Sequence, residues 1–321
     1  MSIVMVPLDG SPFGEQALPL ALTIARPMGA HLHVVRVRAS LPLSVDEDSE
    51  AYVRTTAAEI ESQLPAKVTP WVLTDELGAL QYPPPAPDTV AKTLATHARE
   101  HADLIVMSTH GRGGVKRAWL GSVADALLRI APRPVLLVRP ADVTFSLAAD
   151  ADRGITHILI PLDGSETAER AIPVARELGE PLGARVTLLR VTSPLALQLS
   201  SDPADGYPLG DPTSMGRRAA VHYLNGVAAP LRRAGLDVDV RVVEQLSPAP
   251  AIVDFAKTHA VDLVVLTTTG GGSIRRVLLG SVADHVIRKG ETPVLVCNTR
   301  HAESSAVDAS PAAATGTELE C

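Results

Sequence analysis

Cysteine, aromatic side chains and long apolar runs are what this 321-residue sequence has least of, and each scarcity closes off a class of function. The two cysteines are Cys297, inside an expected strand, and Cys321 at the last position, which supply neither a disulfide framework nor a metal cluster. Aromatics make up 3% of the residues and leave few platforms for stacking bases. A net charge of −7 removes any broad attraction for nucleic acid, which is therefore not an expected partner. No segment approaches the ~20 consecutive apolar residues that cross a bilayer, so no membrane association is expected. The start, Met1-Ser-Ile-Val-Met5, has no basic region ahead of an apolar stretch and does not read as an export signal, so a cytoplasmic location is expected. Also missing are a G-x-x-x-x-G-K-[ST] loop, a G-x-G-x-x-G after the first strand, an H-E-x-x-H and any C-x-x-C, which disfavours a P-loop ATPase, a Rossmann dehydrogenase and a structural metal.

What the sequence does contain is an ordinary globular mixture, 46% apolar and 20% charged, in a chain longer than one hydrophobic core usually fills. It also contains a repeat. Pro7-Leu-Asp-Gly-Ser11 recurs as Pro161-Leu-Asp-Gly-Ser165, and Leu120-Gly-Ser-Val-Ala-Asp125 recurs as Leu279-Gly-Ser-Val-Ala-Asp284. The first pair is offset by 154 residues and the second by 159, a net insertion of five that the Pro/Gly/Ser/Asp-rich stretch Ser193 to Gly216 accommodates.

Each copy alternates short apolar strands with helices. In the first, strands are expected at Ile3 to Leu8, His31 to Val37, Val68 to Leu73, Asp103 to Met107 and Pro134 to Val138. Helices are expected at Phe13 to Met28, Tyr52 to Leu64, Thr89 to His101 and Ser122 to Ile130, the first capped by Ser11-Pro12 and closed by Gly29. The second copy repeats the strands at Ile158 to Leu162, Arg185 to Val191, Val238 to Val243, Leu263 to Leu266 and Pro293 to Cys297. Alternation of this kind gives an α/β, doubly wound parallel sheet covered on both faces. The units are 1–140 and 155–298, joined by a linker at 141–154 and followed by a tail, 299–321, without a core pattern and expected to be disordered.

In such sheets ligands collect outside the carboxyl ends of the strands, where crossovers reverse direction. Asp9 and Asp163 follow strand one there. Ser108-Thr-His-Gly-Arg-Gly-Gly114 and Thr267-Thr-Thr-Gly-Gly-Gly-Ser273 follow strand four. Gly111 and Gly121 let backbone N–H groups approach phosphate oxygens, and Ser122 opens a helix whose N-terminal dipole favours an anion. Lys116-Arg117 and Arg275-Arg276 hold equivalent loop positions, either facing phosphate or forming a solvated face. Each aspartate has a second reading as a turn or cap residue, and the glycines as turn formers. His110 reads as polar lining, with an acid-base role as the alternative. His97, His101 and His259, on expected helices, read as surface residues.

Met107-Ser-Thr-His-Gly-Arg followed by Leu120-Gly-Ser-Val resembles the signature of the universal stress protein family: a glycine, two residues, a second glycine, nine residues, then glycine with serine or threonine. Gly111 with Gly121-Ser122 and Gly270 with Gly280-Ser281 keep the nine-residue spacing, while Ser108 and Thr267 replace the first glycine. The resemblance covers nearly the whole chain except linker and tail. It implies a tandem member with two five-stranded sheets of order 3-2-1-4-5, paired through their last strands as an intramolecular pseudo-dimer. It also implies an adenine-nucleotide site in each copy, taking ATP with Mg2+ as its possible companion. The residues so implicated are Pro7, Leu8, Asp9, Val37, Met107, Ser108, His110, Gly111, Arg112, Gly114, Gly121, Ser122 and Val123 in copy one. In copy two they are Pro161, Leu162, Asp163, Val191, Leu266, Thr267, Gly270, Gly280, Ser281 and Val282. The aspartates would meet the adenosine portion and the backbone of Val37 and Val191 the adenine edge. With no nucleophile, metal set or water-activating base in view, a regulatory nucleotide-binding protein is the expected class. A nucleotide-free interaction or dimerisation module and a slow ATP hydrolase are the alternatives. The protein partner is unidentified and a homodimer stays open.

Overall fold

The computed structural model describes residues 1–38, 46–74, 87–109, 120–140, 146–193, 212–268 and 279–298. The first half runs β1 (Ile3–Pro7), α1 (Pro12–Glu15), α2 (Leu18–Met28), β2 (His31–Arg38), α3 (Asp46–Gln63), β3 (Val68–Thr74), α4 (Pro87–His101), β4 (Leu104–Ser108), α5 (Ser122–Ile130) and β5 (Val135–Val138). After α6 (Leu147–Ala151) the second half repeats it: β6 (His157–Pro161), α7 (Glu166–Glu169), α8 (Ala171–Leu182), β7 (Arg185–Thr192), α9 (Pro212–Arg233), β8 (Val238–Glu244), α10 (Pro248–Thr258), β9 (Leu263–Thr267), α11 (Ser281–Lys289) and β10 (Val294–Cys297).

The ten strands form one sheet of order β3-β2-β1-β4-β5-β10-β9-β6-β7-β8. Every pairing is parallel except the central one, where β5 and β10 run antiparallel with Leu136 opposite Leu295. Each half therefore has the order 3-2-1-4-5, and the last strands join as the resemblance implied. Period-2 alternation explains why both faces are covered. Val4, Val6, Leu136 and Leu295 point to one face, where α2, α3, α6, α8 and α9 pack. Met5, Val135, Leu137, Val294 and Val296 point to the other, under α4, α5, α10 and α11. Both cores run unbroken across the seam, so the halves share their interior. The outer edges are blunted: Pro70 lies in β3, and β8 carries an Arg241–Asp239 ion pair.

Two expectations are corrected and a third is resolved into its parts. The helix expected over Phe13 to Met28 is broken at Gln16 and Ala17, because Pro19 has no amide to donate to the carbonyl four residues back; Pro173 breaks the second copy between α7 and α8 in the same way. The segment expected as a patternless linker contains α6, which packs on α2: Thr23 Oγ1 donates to the Ala151 carbonyl at 2.9 Å and Arg26 pairs with Asp152 at 2.6 Å. The net insertion of five is the difference of two changes. Leu32 faces Val68 and its equivalent Val186 faces Val238, so the offset grows from 154 to 170 after β7, then falls back to 159 by Leu104 and Leu263.

Candidate functional site

The Asp-Gly-Ser turn closes the same way in both copies. Asp9 Oδ1 accepts from the Ser11 amide at 3.0 Å and from its hydroxyl at 2.6 Å, and Ser11 Oγ in turn accepts from the Gly14 amide at 3.1 Å to cap α1. Asp163, Ser165 and Ala168 reproduce this at 2.9, 2.6 and 3.1 Å. Gly10 and Gly164 adopt φ of 78° and 87°, a left-handed conformation that favours glycine. The turn reading of the aspartates is thus correct, and it leaves the ligand reading standing: one carboxylate oxygen builds the turn at the sheet edge where ligands collect.

The strand register brings the two motifs together. Met5 pairs with Ile105 and Leu159 with Val264, so continuing each ladder puts Asp9 level with Thr109 and Asp163 level with Thr268. Thr109 and Thr268 are buried, and Thr268 Oγ1 has no hydrogen-bond partner among the described residues. The Gly121 amide donates to the Thr109 carbonyl at 2.6 Å and ties the start of α5 to the end of β4. Gly121 and Gly280, the N-caps of α5 and α11, have φ/ψ of −62°/150° and −61°/148°, extended values open to any residue, and neither helix start carries a side-chain cap. Among the described residues their first amides are therefore unclaimed by a side-chain cap, at the positive end of the helix dipole. Ser122 and Ser281 are exposed there, Val123 and Val282 half-buried.

A family model for the universal stress proteins matches residues 1–139 and again 154–298. The chain belongs to the universal stress protein family. A universal stress protein of Mycolicibacterium smegmatis is 30% identical over 214 residues, 66% of this chain and 67% of that protein. One from Mycobacterium tuberculosis is 29% identical over 196 residues, 61% of each. The match thus spans about two thirds or less of these relatives' own length. A universal stress protein of Archaeoglobus fulgidus aligns in structure over 92% of this chain and 98% of its own, with a TM-score of 0.63 at 21% identity, a likeness of fold.

Among the residues the family signature implicates, Pro7, Leu8 and Asp9 lie at the end of β1, Met107 and Ser108 at the end of β4, and Pro161, Leu162, Asp163, Leu266 and Thr267 match them in the second half. Val37 and Val191 are half-buried at the carboxyl ends of β2 and β7, packed against the α4/α5 and α10/α11 face. His110, Gly111, Arg112, Gly114 and Gly270, with Lys116-Arg117 and Arg275-Arg276, lie outside the described residues. An open groove of about 600 Å3 between α2 and α8, lined by Met1, Pro27, Met28, Pro173 and Arg176, sits at the opposite end of β1 and does not belong to this site.

Beside each turn is a clamp that lies outside the repeated motifs. The Arg36 guanidinium lies 4.9 Å from the Tyr52 ring centre, and Tyr52 donates to Glu15 at 2.7 Å; Arg190, Tyr223 and Glu169 do the same at 5.0 and 2.7 Å. Burial first, then the bonded carboxylates, push both phenols above their ordinary pKa. Local desolvation by its neighbours works against ionisation of Asp163 although the residue is exposed, but the Ser165 hydroxyl and amide and the Arg190 charge outweigh it and hold the carboxyl below its usual range. The two turns also differ. A Cβ on Gly14 would meet Asp9 Oδ1 at 2.7 Å, whereas the second copy has Ala168 there; Asp9 is half-buried and Asp163 exposed.

Proposed function

We propose that the chain is a regulatory protein that binds an adenine nucleotide, ATP in the first instance, at the carboxyl edge of each half. The observation carrying this reading is that Gly121 and Gly280 stand at uncapped helix starts in a backbone conformation that does not need glycine. What remains to require glycine is the absent side chain, which allows an anion to approach the first amides of α5 and α11. The residues fit the group in other respects. Asp9 and Asp163 stand across the strand ends from those amides with carboxylates suited to ribose hydroxyls, and Val37 and Val191 offer apolar flanks for a base. Phosphates would bring Mg2+ with them, because hard oxygen ligands and waters suit that ion. Nucleotide occupancy would be the signal, and hydrolysis is not part of the proposal.

Mass spectrometry of small molecules released from the denatured, purified chain, with calorimetric titration of ATP, tests this. Gly121→Val should weaken binding in the first half and leave thermal unfolding without nucleotide nearly unchanged. A chain that carries no nucleotide and takes up none would make the protein an interaction module instead.

A further inference from the structure

The outer flank of the first half holds a packed cluster of rings that the second half lacks. Trp71 of β3 lies among His33 of β2 and His97 and His101 of α4, with ring centres 5.8, 4.9 and 5.6 Å away, and His97 and His101 are 4.7 Å apart. The expectation that His97 is a surface residue is wrong: it and His33 are each 8% exposed, because α4 lays this face on β2 and β3. His33 Nδ1, Trp71 Nε1 and His97 Nε2 are buried without a hydrogen-bond partner among the described residues.

The second half resolves the same positions differently. By strand register Thr187 stands where His33 does and Arg241 where Trp71 does. Aligning the buried faces of α4 and α10 (Ala91, Leu94 and Ala98 on Ala249, Ile252 and Ala256) sets Phe255 and His259 against His97 and His101. Phe255 and His259 stack at 3.9 Å. The buried histidine of that half, His157, has both ring nitrogens engaged, with Thr187 Oγ1 at 2.8 Å and the His259 carbonyl at 3.2 Å; burial lowers its pKa too, but the His259 carbonyl and the Asp262 carboxylate stand ready to offset a proton there.

A proton arriving on His33 is offset only in part, by a hydrogen bond to the His101 backbone, and one arriving on His97 has no such partner among the described residues. His31 on β2, His101 on α4, and Arg133, which donates to the Ala98 and Arg99 carbonyls at the end of α4, are all of the same prospective sign. Glu100 is 3.8 Å from His101 but points to solvent, and no ion pair joins His33 or His97 to a carboxylate among the described residues. Desolvation first, then His101 and His31, lowers His33 against the opposing bond to the His101 backbone; desolvation, His101 and His33 lower His97 to about 4. Both rings are therefore held neutral in the fold, while in the unfolded chain they titrate near the ordinary 6.5. The stability this gives is present above that value and is lost as the pH falls through the folded values.

We propose that the His33–Trp71–His97–His101 cluster is an acid-operated release: protonation lifts the last turns of α4 from β2 and β3 in the first half and leaves the second half closed. Ala102 and Asp103 connect α4 directly to β4, whose end carries Ser108, and α4 packs on α5 behind Gly121. Release would therefore reach the first candidate site alone; that last step rests on the nucleotide reading, the release itself does not.

Hydrogen exchange of the full chain without nucleotide, at about pH 7.5 and about pH 5 and corrected for intrinsic rates, tests it. Protection over α4 should fall by about tenfold more than protection over α10, and the double variant His33→Thr/His97→Phe, which carries the second half's own residues, should remove most of that excess. An equal fall in α4 and α10, or an undiminished excess in the variant, overturns the proposal. If the variant does not fold, NMR titration of the ring protons in the unsubstituted chain decides: both buried rings titrating below about 6.5 supports release, and either at or above it overturns it.

Discussion

Truncating Leu136 to alanine tests whether the two halves are one body. Its side chain is fully buried in β5, directly opposite the equally buried Leu295 of β10, and both belong to the same core. Removing a buried leucine down to its Cβ costs about 2–5 kcal/mol, the upper part of the range where the surroundings cannot collapse. The seam is such a place, since strands hold it on both sides. At roughly 2–4 °C per kcal/mol, each single variant should melt about 5–15 °C lower. The two leucines are 159 residues apart in sequence but neighbours across one ladder, so their effects should not add. The first truncation already removes contacts that the second would lose, and Leu136→Ala/Leu295→Ala should fall short of the sum by about 0.5–3 kcal/mol. Urea unfolding of the four proteins closes the cycle. A sum met within about 0.5 kcal/mol would refute direct packing across the seam.

Three further outcomes follow from the sites themselves. Gly14→Ala should reproduce the second copy's turn, pushing the Asp9 carboxylate outward; ATP affinity of the first half should drop about fivefold with thermal stability within ~1 kcal/mol, and unchanged affinity in calorimetry would count against a ligand role for Asp9. Tyr52→Phe should cost about 1 kcal/mol in denaturant unfolding by removing the bond to Glu15, and Tyr52→Leu a further ~0.5–1 by removing the ring beneath Arg36; equal losses would mean that the cation contributes nothing. Cys297 is buried and its thiol is pushed up to about 12, so in a Cys321→Ser background a thiol reagent at about pH 8 should react only as fast as the chain unfolds, and prompt labelling would contradict the burial.

The parts of the fold legible in the sequence were those encoded by neighbours. Apolar strands such as Ile3–Pro7 and the helix Ser122–Ile130, with its Gly-Ser start, announce themselves locally, and the repeated motifs fix the duplication. Pro19 and Pro173 were equally local signals, and the helix breaks they cause were readable from the missing amide. His97 was not, because its place on a polar-looking helix says nothing of the Trp71 ring brought over it from β3. The Arg–Tyr–Glu clamps escaped for a different reason. Arg36 and Arg190 keep the 154-residue offset, but Tyr52 and Tyr223 are 171 apart, displaced by the inserted residues that precede α9, so the two clamps share no common spacing in the sequence. Only the sheet, by returning α9 to the position α3 holds, restores the correspondence.

The single antiparallel pairing at the centre of the sheet decides what the two sites can say to each other. Strands of the first half all run one way and those of the second the other, so their carboxyl ends emerge on opposite rims of the ten-stranded sheet. Asp9 and Asp163 therefore stand on opposite rims, and one flat surface cannot face both candidate sites at once. On the proposed nucleotide reading, a partner reading occupancy would choose a rim, and two copies of it would approach from opposite directions, related by the chain's internal twofold. Joining the halves in one polypeptide thus fixes the two candidate sites on opposite rims at a ratio of one to one, at any concentration of the protein.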